Sequence, residues 1–314
     1  MPKSRVMVAA IAGVAAAALA LSACSSGAAP SSASSATGAS EDAPLVLTTF
    51  TVLADMASEV AGDDLRIESI TKVGAEIHGY EPTPGDIARA TDADLILDNG
   101  LGLEAWFEKF VASVDAPHVV VSDGIDPIDI AGDAYEGRPN PHAWMSPVLA
   151  QSYVDAMAES FADLDPDNAD DYAQRAEDYK GELQAVQDEL ETALAAVPEE
   201  QRALVTCEGA FSYLARDAGL EEIYIWPVNA EQQATPQQIT QAIARVEESR
   251  VPAVFCESTV SDRPMQQVVE ATGATLAGVL YVDSLSEPDG PVPTYLDLIR
   301  YDAQLIASAL TGQP

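Results

Sequence analysis

The chain has 314 residues, enough for two ordinary domains that each bury a core, so it needs no disulfide or metal staple to fold. Only 15 Lys and Arg stand against 51 Asp and Glu, a formal charge of −36. This excess disfavours nucleic acid and anionic lipid surfaces and favours cations, although most of the carboxylates belong to a solvated surface.

Lys3 and Arg5 precede an Ala/Val/Leu run from Val6 to Leu21, and small residues follow up to Cys24. This pattern predicts an export signal over residues 1–23. The alternative is a membrane anchor, which needs about 20 apolar residues, and this run is short and Ala-rich. Leu21-Ser22-Ala23-Cys24 resembles the lipobox of bacterial lipoproteins, in which the cysteine becomes the lipid-bearing first residue. Two or three acyl chains on Cys24 anchor a protein firmly, whereas one binds marginally. Residues 24–43, rich in Ser, Ala and Gly, read as a flexible tether. With Lys3 and Arg5 removed and all 51 acids retained, 13 basic residues remain and the mature charge is −38.

The body from Pro44 alternates strand and helix. Leu45 to Phe50, Leu65 to Ile70, Asp94 to Asp98 and His118 to Val121 are β-rich runs. Helices are predicted over Val52 to Val60, from Thr83-Pro84 (a cap with proline in the first turn), over Leu103 to Val114, and from Ser146-Pro147 to about Leu164. On the third of these, Trp106, Phe107 and Phe110 form an apolar side that reads as core. A long acidic loop spans Ser122 to Pro141. The segment from Asp170 to Val197 has no proline and a single glycine, Gly181, and Tyr172, Ala176, Tyr179, Leu183, Val186, Leu190 and Leu194 form one apolar stripe. A coiled-coil arm is one reading. The resumption of βα units after Pro198 favours a helix bridging two lobes. Strands then follow at Ala203 to Cys207, Ile223 to Trp226, Ala253 to Cys256 and Thr275 to Tyr281, with helices at Ala210 to Ala218, Pro236 to Glu248, Pro264 to Thr272 and Tyr295 to Leu310.

The expected fold is therefore α/β, with two (βα)4-type lobes of parallel sheet, 44–165 and 198–314, joined by a long linker helix over 166–197. Ligands of open parallel sheets bind beyond the carboxyl ends of the strands. His78, His142, Glu208 and Asp283 lie there, two from each lobe. Two imidazoles and two carboxylates suit a divalent first-row metal, although scattered spacing alone is weak evidence. His118 opens an apolar strand and reads as structural, and no Ser-His-Asp order, phosphate loop or dinucleotide fingerprint is present.

The surrounding words are more specific. His78-Gly79-Tyr80-Glu81-Pro82, Asn140-Pro141-His142-Ala143-Trp144, Glu208-Gly209-Ala210-Phe211, Asp262-Arg263-Pro264-Met265 and Asp283-Ser284 together resemble the metal-binding lipoproteins of bacterial ABC importers. The likeness runs in order through the mature chain and is greatest to the manganese or iron group. Gly79 stands where many relatives carry a polar residue. The resemblance implies a metal held between the lobes by His78, His142, Glu208 and Asp283. It also implies a monomeric extracytoplasmic binding protein that is not an enzyme, anchored through Cys24 and delivering Mn2+ or Fe2+ to a membrane permease and its ATPase. Zinc importers of this fold tend to carry a third histidine where Glu208 stands, and often a His-rich loop where Ser122 to Pro141 has none.

Three alternatives stay open at this stage. One is a zinc importer component. Another is a secreted metallohydrolase with the same ligands and Glu81 or Glu257 as base. The third concerns Cys207 and Cys256, which both end β runs and both precede a glutamate. They are either bridged, if the strands are neighbours, or two buried free thiols. A free Cys207 beside Glu208 would draw zinc or copper.

Overall fold

In a computed structural model, residues 39–312 are described apart from 41, 112–113, 132–134 and 229–233. The leader, Cys24 and most of the expected tether lie outside the described residues. Among the described residues no helix is long and apolar enough to cross a membrane.

The first lobe is built on four strands, β1 (Leu45–Thr48), β2 (Arg66–Ser69), β3 (Leu95–Asp98) and β4 (His118–Val120), all parallel in the order β2-β1-β3-β4. β1 and β3 are buried along their whole length, as expected of central parallel strands covered on both faces. The helices α1 (Thr51–Ala61) and α2 (Pro84–Thr91) follow β1 and β2. At the start of α2 the Thr83 hydroxyl accepts from Asp86 N and the Asp86 carboxylate accepts from Thr83 N, a complete capping box ahead of Pro84. The order turns back between β1 and β3, so the loops leaving the strands diverge there and leave a crevice.

The helix expected over Leu103 to Val114 is shorter. α3 covers Phe107–Val111, and turns occupy the preceding residues. Leu101 takes a φ of 52° between Gly100 and Gly102, and the Glu104 carboxylate folds back to accept from Thr49 Oγ1 at 2.7 Å and Asn99 N at 2.8 Å. The segment thus closes the ends of β1 and β3 before it can become helical. Phe107 and Phe110 are buried as predicted, and exposed His118 packs its ring edge-on to Phe107.

α4 (Pro147–Leu164) starts at Ser146, whose hydroxyl accepts from Leu149 N. α5 (Ala169–Leu194) is the predicted long helix, and at 26 residues it runs about 39 Å. All seven residues of its apolar stripe are buried. Each fully buried Leu, Val or aromatic side chain contributes about 1.5–3 kcal/mol of transfer free energy before the entropy of ordering is charged against it.

The second lobe carries β5 (Ala203–Glu208), α6 (Ser212–Ala218), β6 (Glu221–Trp226), α7 (Pro236–Ser249), β7 (Ala253–Glu257), α8 (Arg263–Thr272), β8 (Thr275–Leu280) and α9 (Tyr295–Thr311). Its strands are parallel but form two pairs, β5-β6 and β7-β8, in place of one continuous ladder. At the ends of β5 and β7 the connection is made by side chains. Cys207 and Cys256 form a disulfide with Cα atoms 4.9 Å apart, which settles the question of bridged or free thiols. The Glu257 carboxylate accepts from the backbone N–H groups of Cys207 and Glu208 at 3.2 and 3.1 Å.

One apolar core includes buried residues of β1, α1, α4, α5, β5, α6 and α9, and so runs through both lobes. Two smaller cores lie on the outer side of each sheet. One gathers Leu45, Leu47, Ile96, Phe107 and Phe110, and the other Val205, Ile223, Val254 and Met265.

Candidate metal centre

Each of the four expected site residues leaves the carboxyl end of a strand or follows a loop from one. His78 lies in the turn between β2 and α2. There the Glu76 carboxylate accepts from His78 N at 2.7 Å and Gly79 N at 2.8 Å, and Trp106 Nε1 donates to Ile77 O at 3.0 Å. His142 ends the acidic loop. Its backbone is held on one side by Asn99 Nδ2, which donates to Pro141 O at 3.0 Å, while the Asn99 side-chain oxygen accepts from Tyr153 OH. Glu208 is the last residue of β5. Asp283 lies three residues past β8, bracketed by bonds to the first lobe: Trp144 Nε1 donates to Val282 O, Gly74 N donates to Ser284 Oγ, and Leu285 N donates to Thr51 Oγ1.

The four side chains meet. His78 Nε2 lies 3.2 Å from His142 Nε2 and 3.6 Å from Glu208 Oε1, and His142 Nε2 lies 3.9 Å from Glu208 Oε1 and 3.8 Å from Asp283 Oδ1. One donor atom from each of His78, His142 and Asp283 lies within 4.8 Å of the others. The side chains of His142, Glu208 and Asp283 are fully enclosed, and that of His78 is 7% exposed. His78 also lines a cavity of about 510 Å³ walled by Leu101, Ile130, Tyr135 and Pro141, so the site is approached from its side.

Burial sets the charge state. It pushes the Asp283 carboxyl up to about 7, helped by the negative charge of Glu76, and pushes the His78 imidazole down to about 4. His142 is held well below its ordinary value by burial and by the adjacent His78. Near neutral pH both imidazoles are therefore neutral and carry lone pairs, while a carboxylate beside them is costly to ionise without a cation. Neither oxygen of Asp283 accepts a hydrogen bond, although the residue is 1% exposed. A buried acid with nothing to satisfy it calls for an explanation, and a role as ligand to a cation supplies one.

The spacing fits that explanation. Metal–nitrogen bonds of about 2.1 Å place neighbouring ligand atoms roughly 3.0–3.4 Å apart, which is the separation of the two Nε2 atoms here. The tautomer fits as well. Asn140 Oδ1 accepts from both His142 N at 3.0 Å and His142 Nδ1 at 2.9 Å, so the ring proton sits on Nδ1 and the lone pair on Nε2 faces the site.

Sequence reasoning did not identify the residues that hold these four in place. Asn140 stands in the Asn-Pro-His-Ala-Trp word but its role depends on a fold contact. Trp106 reads as core, yet it is half-buried and grips the His78 loop. Glu257, offered by the sequence as a hydrolase base, is 2% exposed at the end of β7 and holds the end of β5.

Comparison with known proteins agrees with this picture. Residues 46–309 match the family described as the periplasmic zinc-uptake complex component A, ZnuA. The iron-binding protein YfeA of Yersinia pestis is 51% identical over 83% of this chain and 85% of its own length. The manganese ABC transporter substrate-binding lipoprotein PsaA of Streptococcus pneumoniae is 32% identical over 84% of this chain and 88% of its own. Among solved structures, the Mn-bound periplasmic metal binding protein of Candidatus Liberibacter asiaticus superposes with a TM-score of 0.80 at 38% identity, covering 85% of this chain and 99% of that one. The periplasmic zinc binding protein TroA of Treponema pallidum superposes with a TM-score of 0.78 at 26% identity over the same shares. With its two parallel βα lobes and a family match over most of its length, the chain belongs to the ZnuA family of metal-binding periplasmic proteins.

Proposed function

We propose that this chain is the substrate-binding component of a metal ABC importer. It captures a divalent transition metal, preferentially Mn2+ or Fe2+, with His78, His142, Glu208 and Asp283, and delivers it to a permease coupled to an ATPase. The observation that carries the reading is the convergence of two neutral imidazoles and two enclosed carboxylates, one of which, Asp283, has no hydrogen-bond partner on either oxygen. The protein works as a monomer outside the cytoplasm, anchored by lipid on Cys24 beyond a tether over 24–43. Its lobes are 44–165 and 198–314, and the linker is 166–197.

Binding without catalysis fits the donor set. Four protein ligands, two of them able to use both oxygens, leave little room for the water a hydrolase must activate. Glu81 is exposed, and Glu257 gives its oxygens to the N–H groups of Cys207 and Glu208, so neither is suited to act as a base.

The family description favours a second reading, with zinc as cargo. The Irving–Williams order makes Zn2+ the tighter binder in most His/carboxylate sites, so preference for manganese or iron has to come from geometry and supply. The test has two parts. His142→Ala and Asp283→Ala should each abolish Mn2+ occupancy in the folded protein, and unchanged occupancy in both rejects the site. Competition among Mn2+, Fe2+ and Zn2+, with elemental analysis of protein purified without added metal, decides the cargo.

A further inference from the structure

Asn140 is the third member of a hydrogen-bonded chain that begins well outside the four ligands. Glu222, half-buried on β6, accepts from Phe211 N through Oε1 at 3.0 Å and from Ser212 Oγ through Oε2 at 2.5 Å. Ser212, with its proton thus committed, accepts from Asn140 Nδ2 at 3.1 Å. The second amide proton of Asn140 goes to Gly209 O at 2.6 Å, the residue following Glu208. Every donor and acceptor has one consistent direction. Burial pushes the Glu222 carboxyl up to about 7, and in its ionised form it can only accept, so Ser212 then donates to it. Ser212 then presents a lone pair to Asn140, which must turn its NH2 group that way and its oxygen toward His142.

We propose that Glu222, Ser212 and Asn140 form a positioning relay by which the second lobe selects the metal-binding tautomer of His142 on the first. The relay rests on the assignment of His142 as a ligand made above. Flipping the Asn140 amide would aim its NH2 group at His142 Nδ1, move the ring proton to Nε2 and block the nitrogen that faces the site. Three contacts oppose the flip: His142 N, which can only donate, and Ser212 Oγ and Gly209 O, the last two from the lobe that supplies Glu208 and Asp283. The contact between the lobes here therefore does more than bring the carboxylates near. It prepares the imidazole to receive a cation.

Glu222→Gln is the sharpest perturbation. A glutamine replaces one of the two accepting oxygens with an NH2 group, which can only donate, so either Phe211 N or Ser212 Oγ loses the atom it now donates to. Ser212→Ala removes the middle acceptor, and Ser212→Thr restores it. The experiment is Mn2+ titration of the full mature chain together with imidazole nitrogen NMR of the metal-free protein. Glu222→Gln and Ser212→Ala should each weaken Mn2+ binding by about tenfold, the scale of losses when support behind a metal-bound histidine is removed. In the same variants the His142 signals should shift from a single Nδ1–H form to a mixture of tautomers. Ser212→Thr should restore both the affinity and the single form. A destabilised variant without a tautomer change overturns the relay, because general loosening does not redistribute one ring proton. Wild-type affinity in Ser212→Ala and Glu222→Gln also overturns it, even if His142→Ala has lost its metal. If His142→Ala keeps full Mn2+ occupancy, the ligand assignment itself fails and the relay falls with it.

Discussion

The two lobes use the same βα plan and hold their ligands by different means. The first presents imidazoles on loops, and hydrogen bonds fix those loops: Glu76 and Trp106 for His78, Asn99 and Asn140 for His142. The second presents carboxylates at or just past strand ends. Glu208 is fixed by a covalent bridge, by Glu257 and by close backbone packing. The difference follows the chemistry of the donors. A neutral imidazole must be aimed and given the right tautomer, which hydrogen bonds do well. A buried carboxylate must be kept enclosed against its tendency to reach water, which demands a stiff frame. The lobe whose sheet is split is also the one with a disulfide across the split, so the covalent bond stands where ladder bonds are missing.

Removing that bond tests the comparison most severely. Cys207→Ala/Cys256→Ala opens a loop whose ends are 49 positions apart, and loss of that constraint should lower stability by about 2–4 kcal/mol. Urea unfolding measures it, and an unchanged midpoint would show that the frame of the second lobe does not depend on the bridge. Mn2+ affinity should fall in the same variant, since Glu208 adjoins Cys207. Because Asn140 and Ser212 are untouched, the His142 tautomer should stay as in the wild type. Two reactive thiols in the unreduced wild-type protein would contradict the bridge outright.

Gly209→Ala probes the same frame sterically. A Cβ there would lie 2.5 Å from Pro227 O and 2.9 Å from the Tyr224 ring, so backbone must move. The expected cost is about 1–3 kcal/mol of overpacking. The sign is informative, because Gly→Ala at an unstrained position stabilises by about 0.4–1 kcal/mol through the unfolded chain. A melting temperature that rises would mean the packing between Glu208 and the end of β6 is looser than the structure has it. Weaker Mn2+ binding should accompany the loss, since Gly209 O is also the second anchor of Asn140.

Much of this organisation is legible in the sequence because local chemistry dictates it. The Thr83-Pro84 and Ser146-Pro147 caps set two helix starts, and the stripe from Tyr172 to Leu194 is buried at every predicted position. The four site residues are legible as polar groups at strand ends, and their family words mark them further. What sequence does not reveal is made by contacts between distant positions. Nothing near Glu104 announces that its side chain will bind Thr49, 55 positions away, and shorten the helix expected there. Likewise the tie between β5 and β7 is made by Glu257 reaching Cys207 across 50 positions. Asn140 illustrates the limit best: its residue type is visible beside His142, but its partners lie 69 and 72 positions onward.

The smallest effect should come from the first lobe, where support is shared among hydrogen bonds. Trp106→Phe keeps an aromatic ring against Tyr80, Phe107 and Phe110 and removes only the bond to Ile77 O. The loss of one such bond is worth about 0.5–1.5 kcal/mol, somewhat more if Ile77 O is left unsatisfied. Glu76 still holds the backbone of His78 and Gly79, so Mn2+ affinity should drop by about tenfold or less, within the same energy. Isothermal titration beside Gly209→Ala compares the two kinds of support directly. A loss in Trp106→Phe exceeding that of Gly209→Ala would reverse the contrast drawn above, making the His78 loop the stiffer and more demanding half of the site.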